Sequence, residues 1–153
     1  MIPPRFTAPE MRARLTLIAA SYRRLTGRDL IPAGADPVES LWTAPRIILA
    51  HGTEPDPIFL FGNRAALDRF GMTLDAFTAM PSRLSAEPLH RDERQALLDR
   101  VARHGFIDDY SGIRIAADGR RFRVEGATVW NLIDAEGALH GQAATFDRWT
   151  DLA

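Results

Sequence analysis

The sequence predicts an α+β fold: one antiparallel sheet with helices on one face and an amphipathic helix at the N-terminus. Two observations carry this. From Gly105 to Trp149 apolar and polar residues alternate around two turn signals, Asp118-Gly119 and Asp134-Ala-Glu-Gly137, as in a three-stranded meander. Two short apolar runs, Arg46–Ala50 and Ile58–Phe61, precede a helical middle, so strands lie at both ends of the order.

Each element has its own signal. Thr7-Ala-Pro-Glu10 fits a capping box with Thr7 as N-cap, and Met11, Leu15, Ile18, Tyr22 and Leu25 then recur at helical spacing. This predicts a helix from about Ala8 to Thr26, ended by Gly27. After a Pro- and Gly-rich loop over Leu30–Gly34, Asp36-Pro-Val-Glu39 caps a short helix holding Leu41 and Trp42. The two short strands are joined by the turn-rich segment His51 to Pro57. Asn63 caps a helix to Gly71 with Ala66, Leu67 and Phe70 inward, and Thr73 caps a turn carrying Leu74, Phe77 and Met80 that Pro81 stops. His90 to His104 reads as a longer helix burying Leu97, Leu98 and Val101, closed by Gly105. The expected division is an N-terminal helical extension over 1–45 and a sheet-containing domain over 46–150.

Composition bounds the function. The chain has 153 residues, 46% hydrophobic and 25% charged, which suits one globular domain with an unaided core. With 19 basic and 20 acidic residues the net charge is -1, so no global field draws nucleic acid or an anionic membrane. No apolar run approaches the length of a membrane span. Met-Ile-Pro-Pro-Arg lacks a signal pattern, which makes a cytoplasmic location the expectation. The absence of cysteine rules out disulfides, thiolate metal sites, thiol nucleophiles and a covalent cysteinyl–flavin adduct.

Two-residue pairing at the first turn sets Ile115 opposite Phe122, Ile113 opposite Val124 and Ser111 opposite Gly126. Pairing at the second sets Trp130 opposite Gly141, Thr128 opposite Ala143 and Gly126 opposite Thr145. Strict alternation then gives one face Ile113, Ile115, Phe122, Val124 and Trp130 around a row of small residues: Ser111, Gly126, Thr128, Gly141, Ala143 and Thr145. Large margins around a small centre make a concave floor for a pocket. The opposite face carries Tyr110, Ala127, Val129, Ala144 and Phe146 beside Arg114, Arg121 and Arg123, too apolar for open solvent. The N-terminal helix or a second subunit is expected to cover it.

Pro57-Ile-Phe-Leu-Phe-Gly-Asn-Arg-Ala-Ala-Leu67, followed by Phe70-Gly71 and Leu74–Phe77, resembles the opening of PAS domains, where a strand delivers an Asn that caps the next short helix. Asn63-Arg64-Ala65-Ala66-Leu67, Pro81-Ser-Arg83, Tyr110-Ser-Gly-Ile-Arg114, Gly119-Arg-Arg-Phe122, Val129-Trp130-Asn131 and Gly141-Gln-Ala-Ala-Thr-Phe146 together resemble the MEKHLA domain family. The likeness runs loosely from Leu15 to Leu41 and more tightly from Ile47 to Trp149. That family is PAS-like, occurring as a stand-alone bacterial form and at the C-terminus of some plant homeodomain transcription factors. The resemblance implies a PAS-like fold and a role in ligand or redox sensing. It brings no settled ligand and no catalytic residues. No homeodomain or zipper pattern accompanies these motifs, so the plant regulatory context is not carried over.

Candidate pocket residues are Asn63, Phe70, Ser111, Ile113, Val124, Gly126, Thr128, Trp130, Ala143 and Thr145. Asn63 is foremost a cap, and Trp130 is core packing made possible by the facing glycine, or a pocket wall. Ser111, Thr128 and Thr145 bond backbone or water, or supply polar contacts to a ligand on an apolar floor. His51, His90, His104 and His140 show no metal-ligand spacing. Haem finds no convincing axial ligand, although His51, His90 and His140 are open to the role, and the cofactor stays unassigned. Asp108 and Asp109 point to opposite faces of a strand and cannot share a substrate; Asp109 is expected inward, near Trp130.

The leading reading is a non-enzymatic sensory or small-molecule-binding domain that signals through a homodimer or a partner protein. Its ligand would lie between the sheet and the helices from Asn63 to Met80. A second reading is a small cone-shaped α+β enzyme of the ketosteroid-isomerase-like kind, with Asp109 or His51 as base. A third is an interaction domain whose pocket is filled by its own side chains.

Overall fold

The computed structural model describes residues 2–86 and 91–152, Arg91 and Arg94 by backbone alone. The helices are α1 (Pro9–Thr26), α2 (Pro37–Thr43), α3 (Arg64–Phe70), α4 (Leu74–Phe77) and α5 (Arg91–His104). The strands are β1 (Ile47–His51), β2 (Phe59–Gly62), β3 (Phe106–Ile115), β4 (Arg121–Ile133), β5 (Leu139–Phe146) and β6 (Trp149–Asp151). All pair antiparallel in the order β2-β1-β5-β4-β3, and β6 follows β5 along the same edge of β4. The meander expected to end at Trp149 is followed by a further strand, β6. His90, expected to start α5, lies outside the described residues.

Local chemistry sets most boundaries. Asp36, Asn63 and Thr73 each accept a backbone N–H three residues on, from Glu39, Ala66 and Ala76, and so satisfy an orphan donor of the first turn. Thr7 does not cap α1. Its hydroxyl donates to Pro4 O at 2.7 Å within a short 3₁₀ turn, and Ala8 stands at the cap with Pro9 as the first helical residue. Proline needs no partner for a missing N–H, which explains a helix start without a side-chain cap.

Helices cover both faces of the sheet. On one, Leu15, Ile18 and Tyr22 of α1, Val38, Leu41 and Trp42 of α2, and Phe6 pack on Ile48, Ala50, Phe61, Trp130, Leu132 and Ala143. On the other, Ala66 and Phe70 of α3 and Phe77 of α4 meet Ile47, Phe59, Phe122, Val124, Ala127 and Phe146. There, too, Leu97 and Val101 of α5 close over Ile107 and Val129.

The meander departs from the expected register in three places. The first hairpin loop has three residues: Ala116 N–H donates to Arg120 O at 2.9 Å, and Ile115 faces Arg121 instead of Phe122. Asp118-Gly119 thus belongs to a three-residue turn ending in a left-handed residue, a common alternative to the two-residue form. Next, Gly112 pairs with Val124 but Tyr110 pairs with Ala127, so β4 carries one extra residue beside Gly126, whose φ is +62°. This is a β-bulge, and beyond it the side chains exchange faces. Finally, Trp130 faces Ala143 and Thr128 faces Thr145, a two-residue shift that preserves the faces.

The bulge overturns the expected arrangement of faces. Phe122 and Val124 lie on one side of the sheet and Thr128 and Trp130 on the other, because alternation was counted straight through Gly126. The N-terminal helix therefore covers the Trp130–Ala143 face. The face of Ala127, Val129, Ala144 and Phe146, expected beneath that helix, lies beneath α3, α4 and α5.

Candidate functional site

Between the sheet and α3–α5 lies a cavity with about 50 Å³ open to the centre of a water-sized sphere. Leu49 and His51 of β1, Val124, Ala127 and Val129 of β4, and Gln142, Ala144 and Phe146 of β5 form its floor. Phe70, Leu97 and Leu98 roof it, and Tyr110 and Arg114 of β3 close one side. The lining is mainly apolar with a few polar groups, the usual make-up of a small-molecule site.

Those polar groups are held in place. Gln142 donates to Asn131 Oδ1 at 3.0 Å, and Asn131 donates to the Val101 carbonyl of α5 at 3.1 Å, so buried amides tie the sheet to the helix. His51 is buried, with Nδ1 2.9 Å from Gly52 O. Ser85 donates to Ser82 O at 2.7 Å. The Arg114 guanidinium carbon sits 5.3 Å from the centre of the Tyr110 ring, a cation–π distance. Gly112 makes this possible: a Cβ there would collide with the Tyr110 hydroxyl, so its absence lets the ring lie along the strand. Leu98, Gln142 and His51 also border an open surface groove lined by Glu54, Gln95 and Asp99, which adjoins the cavity.

Of the ten candidate residues, the structure brings Phe70 and Val124 to the cavity; Ala143 borders it from β5, while its side chain packs on the α1 side. Asn63 is buried at the start of α3: its Oδ1 accepts from Ile48 N and Ala66 N, and its amide donates to Leu41 O and Arg46 O. Trp130 and Thr145 face the α1 side of the sheet. The Trp130 indole donates to Ile18 O at 3.1 Å and meets the Tyr22 ring edge-on, and Thr145 donates to Ile47 O at 2.9 Å. Thr128 is buried on that side too. Gly126 forms the bulge, Ile113 pairs with Arg123, and Ser111 is exposed in an outer cleft beside α5.

Asp109 is not inward. A second irregularity, in β3 between Ile107 and Tyr110, turns Asp108 and Asp109 outward, and Asp109 is 70% exposed and 3.9 Å from Arg100. Tyr110, Arg114, Leu97 and Gln142 are among the cavity residues missed by sequence reasoning. The available signal was Gly126, since a lone glycine inside a strand pattern marks a bulge.

One carboxylate is tuned away from the cavity. Asp134 accepts from His140 at 2.7 Å and from the Ala138 and Glu136 N–H groups, and these bonds, the histidine first, hold its carboxyl below the usual range. Among the described residues no group of His, Asp and Glu is arranged to hold a metal ion, and no helix is long and apolar enough to cross a membrane.

The sheet order, the short helices over one face and the cavity between them make this a PAS fold. A PAS domain from Colwellia psychrerythraea superposes with a TM-score of 0.63 at 10% identity, over 74% of this chain and 92% of that one. A light-oxygen-voltage domain, studied with a flavin analogue, superposes with a TM-score of 0.61 at 16% identity, over 78% of this chain and 87% of that one. Within that class the chain belongs to the MEKHLA domain family, whose sequence pattern matches residues 12–151. Among curated relatives, homeobox-leucine zipper protein ATHB-9 of Arabidopsis thaliana is 31% identical over 94% of this chain. HOX32 of Oryza sativa is 27% identical, again over 94%. The chain spans 18% and 17% of the lengths of these two proteins.

Proposed function

We propose that the chain is a non-enzymatic sensory domain that binds a small molecule in the cavity beneath α3, α4 and α5. The observation that carries this reading is the cavity itself: an apolar floor of β1, β4 and β5, roofed by Phe70, Leu97 and Leu98, with fixed polar groups at its margins. Membership of the MEKHLA family, which is PAS-like, supports it. Residues 1–45 serve as the extension that carries the output and residues 46–150 as the sensing unit. Occupation of the cavity shifts the Gln142–Asn131 amides and thereby the seating of α5. The β4 and β5 backbones pass this strain to Trp130 and α1 on the opposite face, where a homodimer or a partner protein reads it. The cytoplasm is the proposed location, with neither nucleic acid nor membrane as partner.

The isomerase-like alternative loses its better base, because Asp109 points to solvent. His51 lines the cavity, but among the described residues no carboxylate shares the wall with it.

Thermal-shift screening of a small-metabolite set against the native chain and Ala144→Leu tests the reading, with native mass spectrometry for a retained ligand. A molecule that raises the melting temperature of the native chain and not of Ala144→Leu, which fills the cavity, is the expected result. If every stabilising molecule acted equally on both proteins, the cavity would not be the binding site.

A further inference from the structure

We infer that the cavity selects a small monocarboxylate, its apolar body lying against Val124 and Ala127 and its carboxylate on Arg114. This rests on the ligand-binding reading above and names the ligand's chemical class. Three observations converge on it.

Among the described residues no acidic side chain contributes to the cavity wall, whereas a permanent cation, Arg114, does. On the same side of the molecule Arg69, Arg83 and Arg100 pair with Asp151, Asp56 and Asp109. Among the described residues Arg114 has no such carboxylate, and its guanidinium carbon lies 5.3 Å from the centre of the Tyr110 ring. A cation–π contact consumes none of the guanidinium N–H groups, and the fork of a carboxylate matches their edge. The half-buried charge favours an anion over a neutral ligand of the same shape, because pairing repays part of the desolvation a lone cation suffers.

The strand is also built to present this pair. Tyr110, Gly112 and Arg114 follow one another on one face of β3, and the missing side chain at Gly112 lets the phenol lie along the strand. Size narrows the class further. With only about 50 Å³ open to the centre of a water-sized sphere, the space admits a small body and no large ring system. One guanidinium suits a monoanion; a phosphate dianion calls for several more donors. The site thus fits a short-chain acid.

Butyrate, butyramide and 1-butanol, titrated at constant ionic strength into the full chain, test the inference by calorimetry and melting temperature. Butyrate should bind at least tenfold more tightly than either neutral analogue. Arg114→Met should abolish that preference while leaving butyramide unchanged, and Gly112→Val, which displaces the phenol, should weaken butyrate several-fold. The comparison of the three compounds on the native chain needs no variant, so it stands even if a substituted chain misfolds. Equal binding of butyrate and butyramide, or undiminished butyrate binding by Arg114→Met, would overturn the inference. If neutral compounds bind and Ala144→Leu blocks them, the carboxylate class fails and the ligand-binding reading survives. If none of the three compounds binds, the carboxylate inference fails; the ligand-binding reading fails only if the metabolite screen also finds no molecule that distinguishes the native chain from Ala144→Leu.

Discussion

Asn63 shows how much one side chain can hold. It is wholly buried, and its carboxamide joins three segments: the N–H of Ile48 in β1, the N–H of Ala66 in α3, and the carbonyls of Leu41 and Arg46 around the end of α2. As a cap alone it would be worth about 1 kcal/mol. Its removal also leaves buried backbone groups of the other two segments without partners, each costing roughly 1–3 kcal/mol. Asn63→Ala should therefore destabilise by about 3 kcal/mol or more, measured as the shift in urea midpoint at unchanged slope. A loss near 1 kcal/mol would mean that water replaces the carboxamide. The cap was legible in the sequence, because Asn before a helical pattern has a local reason. The other bonds were not, since they depend on where α2 and β1 arrive in space.

At the scale of the element, β4 decides the site. It is a 13-residue strand whose two halves present opposite parities to the same face, and Gly126 is where they meet. Its φ of +62° is disfavoured for any residue with a side chain, and an added Cβ would press on the Arg148 guanidinium at 2.7 Å. The arginine tip can move aside, so the backbone term dominates, at about 1–2 kcal/mol. Gly126→Ala should be destabilised by that amount while keeping its fold; amide exchange should quicken in β3 and β6 beside the bulge more than in β1 and β2. Uniform quickening throughout the sheet would count against a local origin. The strand's existence, its length and its turns followed from alternation and turn residues. Its bulge did not, because alternation is blind to an inserted residue unless a glycine is given weight.

Across the whole molecule, the sheet separates two compartments: a solid aromatic core under α1 and α2, and a core with an unfilled space under α3, α4 and α5. The β4–β5 turn fastens the first of these. Ser21 of α1 accepts from Ile133 N at 2.9 Å, Arg24 donates to Asp134 O at 3.1 Å, and Asp134 in turn organises its own turn and receives His140. The Asp134 carboxyl is held below its unfolded value, so its stabilisation is complete above the unfolded value of about 4 and is lost as pH falls through the lower folded one. The gap in urea midpoint between the native chain and Asp134→Asn should hold steady down to about pH 5 and close in acid. A gap that widened on acidification would reverse the sign and refute the assignment.

The fold class, the caps at Asp36, Asn63 and Thr73, the two central strands and the family could all be read along the chain, because each rests on local spacing or on a motif of contiguous residues. Which face of the sheet is hollow was decided only in three dimensions. A three-residue turn and a bulge at Gly126 each move the parity of β3 and β4 by one, and a single such step exchanges every side chain between the two compartments. Alternation fixes that two faces exist; only the packed positions of α1 on Trp130 and α5 on Val129 say which of them is filled.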